Sequence, residues 1–165
     1  MEWYVLFVQT GKEKAIQEWI EFFLDSNSYI SFVPTKLIYE KRNGINEKKE
    51  KVLFPGYVFL NVDLSNRNYN KIKEIPIFKK LLKTGDYFSC INDHEINPIL
   101  TLTNSDYIID FSKIVYNNSA IHIVEGPLKG MEHLVKKIDK RKRRATIELQ
   151  LLNEIRLINL GIEFI

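Results

Sequence analysis

Residues 121–149 read IHIVEGPLKGMEHLVKKIDKRKRRATIEL, and the spacing of apolar and charged positions within them decides how the C-terminal part of the chain folds. Ile121 and Ile123 flank His122, EGPLKG makes a turn, and Leu134, Val135 and Ile138 lead into a charged run. Beyond that run Ala145, Ile147 and Leu149 alternate with Arg144, Thr146 and Glu148. A period of two puts one set on one face of a strand and the other set on the opposite face. The run itself, residues 136–144, holds seven basic residues and one acidic residue in nine positions, which predicts a charged hairpin tip on a small β-domain. With strands over 154–158 and 161–165, residues 120–165 can close a five-stranded barrel, near the lower size limit for a domain without metal or disulfide.

Charge is distributed unevenly around this module. Residues 1–120 carry 15 Lys and Arg against 15 Asp and Glu, and residues 121–165 carry 9 against 6, so the whole net charge of +3 falls in the last 45 residues. Seven crowded cations repel one another and add nothing to folding, so they want an external anion, and a nucleic-acid phosphate backbone is the obvious one. A solvated hairpin end is the plainer explanation. A net charge this small speaks against coating nucleic acid over the whole surface. It suits one basic module joined to a neutral one.

The neutral part is a mixed α+β sequence. Residues 3–9 (WYVLFVQ) are aromatic and β-branched and end at Thr10-Gly11, which reads as a strand. Residues 12–24 form a helix with Ala15, Ile16, Trp19, Ile20, Phe22 and Phe23 on a broad apolar face, and Thr10 with Glu13 has capping-box spacing. Trp19 on such a face is expected in the core. A strand over 31–40, a long exposed loop over 41–51 around Asn43-Gly44, and a return strand over 52–62 follow. Residues 66–74 read as a short helix, 80–82 and 87–91 as short strands, and 93–102 as a third helix weakened by Pro98. The layout is an antiparallel sheet flanked by helices over 1–103, a connector over 104–119, and the β-module over 120–165.

A single cysteine, Cys90, excludes an internal disulfide and suits a reducing compartment. No charged-then-apolar leader and no apolar run of membrane-spanning length is visible, so neither secretion nor a membrane partner is expected. His94, His122 and His133 are too scattered for a metal motif, and no phosphate-loop or nucleophile-elbow pattern occurs. Asp93-His94-Glu95 is better explained by helix capping than by acid–base chemistry. The chain is therefore not expected to be an enzyme or to carry a cofactor.

Three segments together, WYVLFVQTGKE at 3–13, VLFPGYVFL at 52–60 and IVEGPLKGMEHLVKKIDKRKRRATIEL at 123–149, resemble the NusG family of transcription elongation factors over nearly the full chain. GPLKGMEHLVKKID and the terminal LGIEFI most resemble its LoaP group of processive antiterminators. The resemblance implies a NusG-type N-terminal α/β sandwich and a C-terminal SH3-like KOW barrel, in a cytoplasmic protein associated with the nucleoid during transcription. It also implies a factor that docks on the clamp helices of RNA polymerase through Phe7, Phe54, Pro55, Gly56, Tyr57 and Phe59, with Leu81 and Leu82 at a later apolar pair. Aromatic side chains suit such docking because few rotamers are frozen. Half of any such strand must nevertheless be core, so each aromatic is as well explained by burial. A contact to the polymerase β lobe would fall on Asn68, Tyr69 and Asn70.

The same resemblance associates the KOW module with a structured RNA hairpin in a nascent leader. Arg141, Arg143 and Arg144 would fork onto phosphates or base edges, Lys136, Lys137, Lys140 and Lys142 would act as point charges, and Lys129 and His133 would join them from a neighbouring loop. NusA and ribosomal protein S10 are further partners that the family brings into view. One departure stands out. Where the relative RfaH reads DNA with a basic and polar face, this chain has Gln9, Thr10, Ala15, Trp19, Phe22 and Phe23, which moves the recruitment signal toward RNA. A ribosome-associated KOW protein acting in translation is the alternative, although an exposed apolar patch on a neutral domain fits it less well.

Overall fold

The computed structural model describes residues 1–76 and 88–165. By its contacts the chain divides into two compact units, Met1–Val33 with Phe54–Ile96, and Pro34–Leu53 with Asn97–Ile165.

The first unit is built on an antiparallel sheet in the order β2-β5-β1-β6, formed by β1 (Glu2–Phe7), β2 (Tyr29–Phe32), β5 (Tyr57–Val62) and β6 (Phe88–Ile91). Val5 and Leu6, neighbours on β1, are both buried, as are Val58, Phe59 and Leu60 on β5. Consecutive strand residues point to opposite faces, so the middle of this sheet is covered on both sides. Helix α1 (Glu13–Phe23) buries Ile16 and Ile20, and α2 (Asn66–Glu74) buries Ile72.

The second unit takes β3 (Thr35–Arg42) and β4 (Ile45–Val52) from the middle of the N-terminal half. They pair antiparallel from Thr35↔Val52 to Arg42↔Ile45, and Asn43 and Gly44 close the turn with φ of 51° and 82°. Positive φ at both central residues is the signature of a type I′ hairpin. The loop expected over 41–51 is thus mostly a strand. INEKKEKV is too polar to read as one, but its charged side chains suit an exposed edge. β3 also pairs in parallel with the two-residue β7 (Ile108–Ile109). The single strand expected over 31–40 is instead β2 and β3 in different sheets, broken at Val33-Pro34, since proline cannot donate to a ladder.

The C-terminal strands form a five-stranded sheet in the order β10-β11-β12-β8-β9: β8 (Ser112–Asn117), β9 (Ala120–Glu125), β10 (Val135–Asp139), β11 (Arg144–Leu151) and β12 (Glu154–Phe164). Its end strands, β9 and β10, face each other across a groove of about 380 Å³ lined by Ile121, Ile123, Val135 and Ile138. The alternation read after Ala145 is observed, with Ala145, Ile147 and Leu149 buried. Two expectations fail here. The separate strands over 154–158 and 161–165 are one eleven-residue strand, and the fifth strand is β8, from the stretch that reads as a connector. β8 lies in parallel beside the end of β12, with Ile162↔Ser112 and Phe164↔Ile114.

Helix α3 (Asp93–Leu102) runs its expected length with Pro98 inside it. Glu95, buried, accepts the Asn92 N–H at 3.3 Å at its start. The strand expected over 80–82 and the apolar pair Leu81 and Leu82 lie outside the described residues.

Candidate functional site

The turn Phe54-Pro55-Gly56-Tyr57 is locked in place by one buried acid. Glu13, 3% exposed, accepts the Gly56 N–H at 2.7 Å and the Gly11 N–H at 2.9 Å, while the Gly56 carbonyl accepts the Val8 N–H at 2.8 Å. Gly56 has φ +84°, a conformation that favours glycine, and a Cβ there would make a tight 3.1 Å approach to the Val8 oxygen. Burial pushes the Glu13 carboxyl up, but the backbone N–H groups of Gly56, of Glu13 itself and of Gly11 outweigh it and hold it below the usual carboxylate range. The expected capping box does not form: Lys12 occupies the N-cap with no side-chain bond. The Glu three residues after Thr10 was the only signal in the sequence, and it pointed to the wrong partner.

This lock splits the apolar set. Phe7 and Tyr57 are half-exposed and meet edge to face at 5.3 Å, and Pro55 is exposed. Phe54 is nearly buried, 6.2 Å from Tyr57 and 5.7 Å from Phe59. Phe59 is 0% exposed and stacks on Phe32 at 5.2 Å. The expectation that Phe59 lies on a docking surface is therefore corrected: it supports the patch from within, because the middle of β5 is covered on both faces. On α2, Asn68 donates to the Asp63 carbonyl at 2.8 Å, Tyr69 lies under Lys73 at 4.3 Å, and Asn70 is exposed.

Helix α1 departs further from its reading. Trp19 is 42% and Phe22 79% exposed, and with Phe23 they form a cluster with centroids 5.3 to 6.4 Å apart. Trp19 is a surface residue, not core, since only the Ile16 and Ile20 stripe faces inward. Gln9, Thr10 and Ala15 are exposed as well.

In the second unit the basic tip is a four-residue loop closing β10 and β11, paired at Asp139↔Arg144. Asp139, the one acid of the run, accepts the Lys142 N–H at 2.9 Å, and that bond holds its carboxyl below the ordinary value. It shapes the turn. The cations then divide. Arg141, Lys142 and Lys137 are exposed and make no ion pair among the described residues. Lys136 lies 3.7 Å from Glu148, Lys140 lies 3.4 Å from the Tyr116 ring centre, and Arg143, at φ 52°, lies 5.2 Å from the Tyr39 ring centre. Arg144 is half-buried and donates to the Tyr39 carbonyl at 3.3 Å, so the expectation that it is a free fork for nucleic acid is corrected. Lys129 and His133 are exposed, but they precede β10 whereas the tip follows it. The five residues of β10 span about 16 Å at roughly 3.3 Å per residue, which sets His133 beyond the end of that strand away from the tip.

The turn 126–130 is anchored by the stretch expected to be a connector. Ser112 Oγ accepts the Leu128 N–H at 3.0 Å, and a Cβ on Gly126 would lie 2.6 Å from the Phe111 oxygen. Among the described residues, no group of three or more His, Cys, Asp or Glu is arranged to hold a metal ion, and no helix is long and apolar enough to cross a membrane.

Residues 1–100 match the family model described as transcription termination factor nusG. The transcription termination/antitermination protein NusG of Rickettsia prowazekii is 23% identical over 166 residues, covering 97% of this chain and 86% of that protein. The protein of the same name from Pseudomonas aeruginosa is 25% identical over 152 residues, covering 88% and 86%. In fold, the chain is similar to the solved structure titled "Domain interaction in Thermotoga maritima NusG", with a TM-score of 0.51 and 18% identity over 97% of this chain and 93% of that one. With its N-terminal hundred residues matched to the family model and curated relatives aligned over most of their length, the chain belongs to the NusG family of transcription termination/antitermination factors.

Proposed function

We propose that this chain is a specialised antitermination factor of the LoaP type, which docks on RNA polymerase through its first unit and is recruited by a nascent RNA element through its basic tip. The observation that carries this reading is the exposed positive charge of Arg141, Lys142 and Lys137, none of them in an ion pair among the described residues, on a chain whose first 120 residues are electrically balanced. Phe7, Pro55 and Tyr57 supply the polymerase contact, because among the described residues they are the members of the apolar set that solvent reaches. Tyr57 is the anchor: its ring is held on two sides by Phe7 and Phe54, so little freedom is lost when a partner covers it.

The test is transcription in vitro through a terminator, with and without a leader hairpin upstream. Tyr57→Ala is expected to abolish readthrough while leaving RNA binding intact. Arg141→Ala combined with Lys142→Ala is expected to lose the dependence on the leader while polymerase still co-purifies. Capture of ribosomal subunits alone, with readthrough indifferent to Tyr57→Ala, would replace this reading by a translational one.

A further inference from the structure

Beside the tip lies a second set of polar groups that the reading above does not use. Within the second unit a cleft of about 450 Å³ runs between the β3–β4 hairpin and the β10–β11 tip, lined by Tyr39, Lys41 and Asn46 on one side and residues 141–144 on the other. Among the described residues no carboxylate lines it. Three of the hairpin's other cations are paired: Lys48 is 3.0 Å from Glu163, Lys49 is 2.9 Å from Glu47, and Lys51 is 3.2 Å from Glu40. Lys41 makes no such pair among the described residues, and it is the hairpin cation that faces the tip across the cleft.

This is an ordered approach of two like-charged elements, so something must hold them against their repulsion. Tyr39 does so. Its hydroxyl donates to Glu163 at 2.8 Å, its carbonyl accepts from Arg144 at 3.3 Å, and its ring meets Phe111 at 4.7 Å with Arg143 on it at 5.2 Å. Gly161 on β12 lets the hairpin come close, since a Cβ there would fall 2.4 Å from the Leu37 carbonyl oxygen. The donors left facing the cleft are the Arg141 guanidinium, the Lys41 and Lys142 point charges and the Asn46 amide, a set that matches phosphate oxygens and ribose hydroxyls.

We propose that this cleft is a binding site for the sugar–phosphate backbone of RNA, with Lys41 and Asn46 of the β3–β4 hairpin gripping the strand opposite Arg141 and Lys142. The site rests on the RNA reading of the tip and deepens it: the interface is two-walled, and one wall comes from the N-terminal half of the chain.

Fluorescence anisotropy of the full chain with a labelled short RNA stem–loop, titrated across salt, tests it. A non-cognate probe suffices because the phosphate contribution is independent of sequence. Lys41→Glu is expected to weaken binding roughly tenfold and to lower the log–log salt slope by about 0.7 to 0.9, one contact's worth. Lys49→Glu, an equal charge change on the same hairpin outside the cleft, is expected to bind nearly as wild type. Wild-type binding by Lys41→Glu alongside loss in Arg141→Ala/Lys142→Ala would overturn the cleft and leave the tip reading standing. Equal losses in Lys41→Glu and Lys49→Glu would assign the effect to hairpin charge at large and overturn it too. Unchanged binding in every variant would remove the RNA reading itself. Inorganic phosphate at matched ionic strength is expected to displace RNA no better than chloride; specific displacement would make the cleft a free-phosphate site and overturn the RNA assignment.

Discussion

At the scale of single residues, Glu13 decides more than any exposed aromatic. It accepts two backbone donors, one from the FPGY turn and one from the Gly11 turn ahead of α1. Glu13→Ala is expected to cost about 2 to 3 kcal/mol, the range for charged hydrogen bonds whose buried partners are left unmet, read as a lower guanidinium midpoint with an unchanged slope. Its folded carboxyl lies below its ordinary value, so its stabilisation is complete above the unfolded carboxyl's range and is lost as pH falls through the folded value. Glu13→Gln is therefore expected to flatten the acid side of a melting-temperature profile against pH. The hydrogen bonds from Tyr39 and Lys48 depress Glu163 in the same direction, so acid also loosens the seating of the β3–β4 hairpin. None of this was legible from composition. A Glu near a helix start is ordinarily a cap, and only the three-dimensional return of residue 56 to residue 13 gives it another partner.

At the scale of elements, what the sequence disclosed follows the strength of its periodicity. β11 alternates cleanly and appears as read; α2 begins and ends at the expected residues. α1 was correctly a helix but its buried face was drawn too wide, because aromatic residues all round a helix leave its orientation undetermined. The inward stripe is Ile16 and Ile20, with Trp19 and Phe22 outside it. The two sides should separate in the laboratory. Ile20→Ala is expected to destabilise by about 2 to 5 kcal/mol, whereas Phe22→Ser, at a site 79% exposed, is expected to stay within about 0.5 kcal/mol, by chemical denaturation of each. β4 was missed for the opposite reason, as its residues carry almost no apolar signal and its pairing is dictated by the Asn43-Gly44 turn. Of the candidate site, the tip was legible and its second wall was not, since the contact of Tyr39 with Glu163 joins residues 124 apart.

At the scale of the whole molecule, the second unit is discontinuous in sequence, and β8 belongs to it rather than to a connector. A fragment of residues 120–165 would lack the strand beside β12 and the Ser112 anchor of the 126–130 turn. It is expected to unfold broadly on heating, while residues 104–165 are expected to keep a cooperative transition, with circular dichroism as the readout. Discontinuity also sets an order of events on the ribosome. The β3–β4 hairpin emerges about 100 residues ahead of β12, the strand it rests on, so at roughly 5 to 20 residues per second the hairpin waits about 5 to 20 seconds without its partner. The charged side chains that concealed β4 from a sequence reading are the feature that makes such a wait safe. A strand of Lys and Glu offers a poor template to a neighbouring nascent chain, and the hairpin stays available for β12 when that strand arrives.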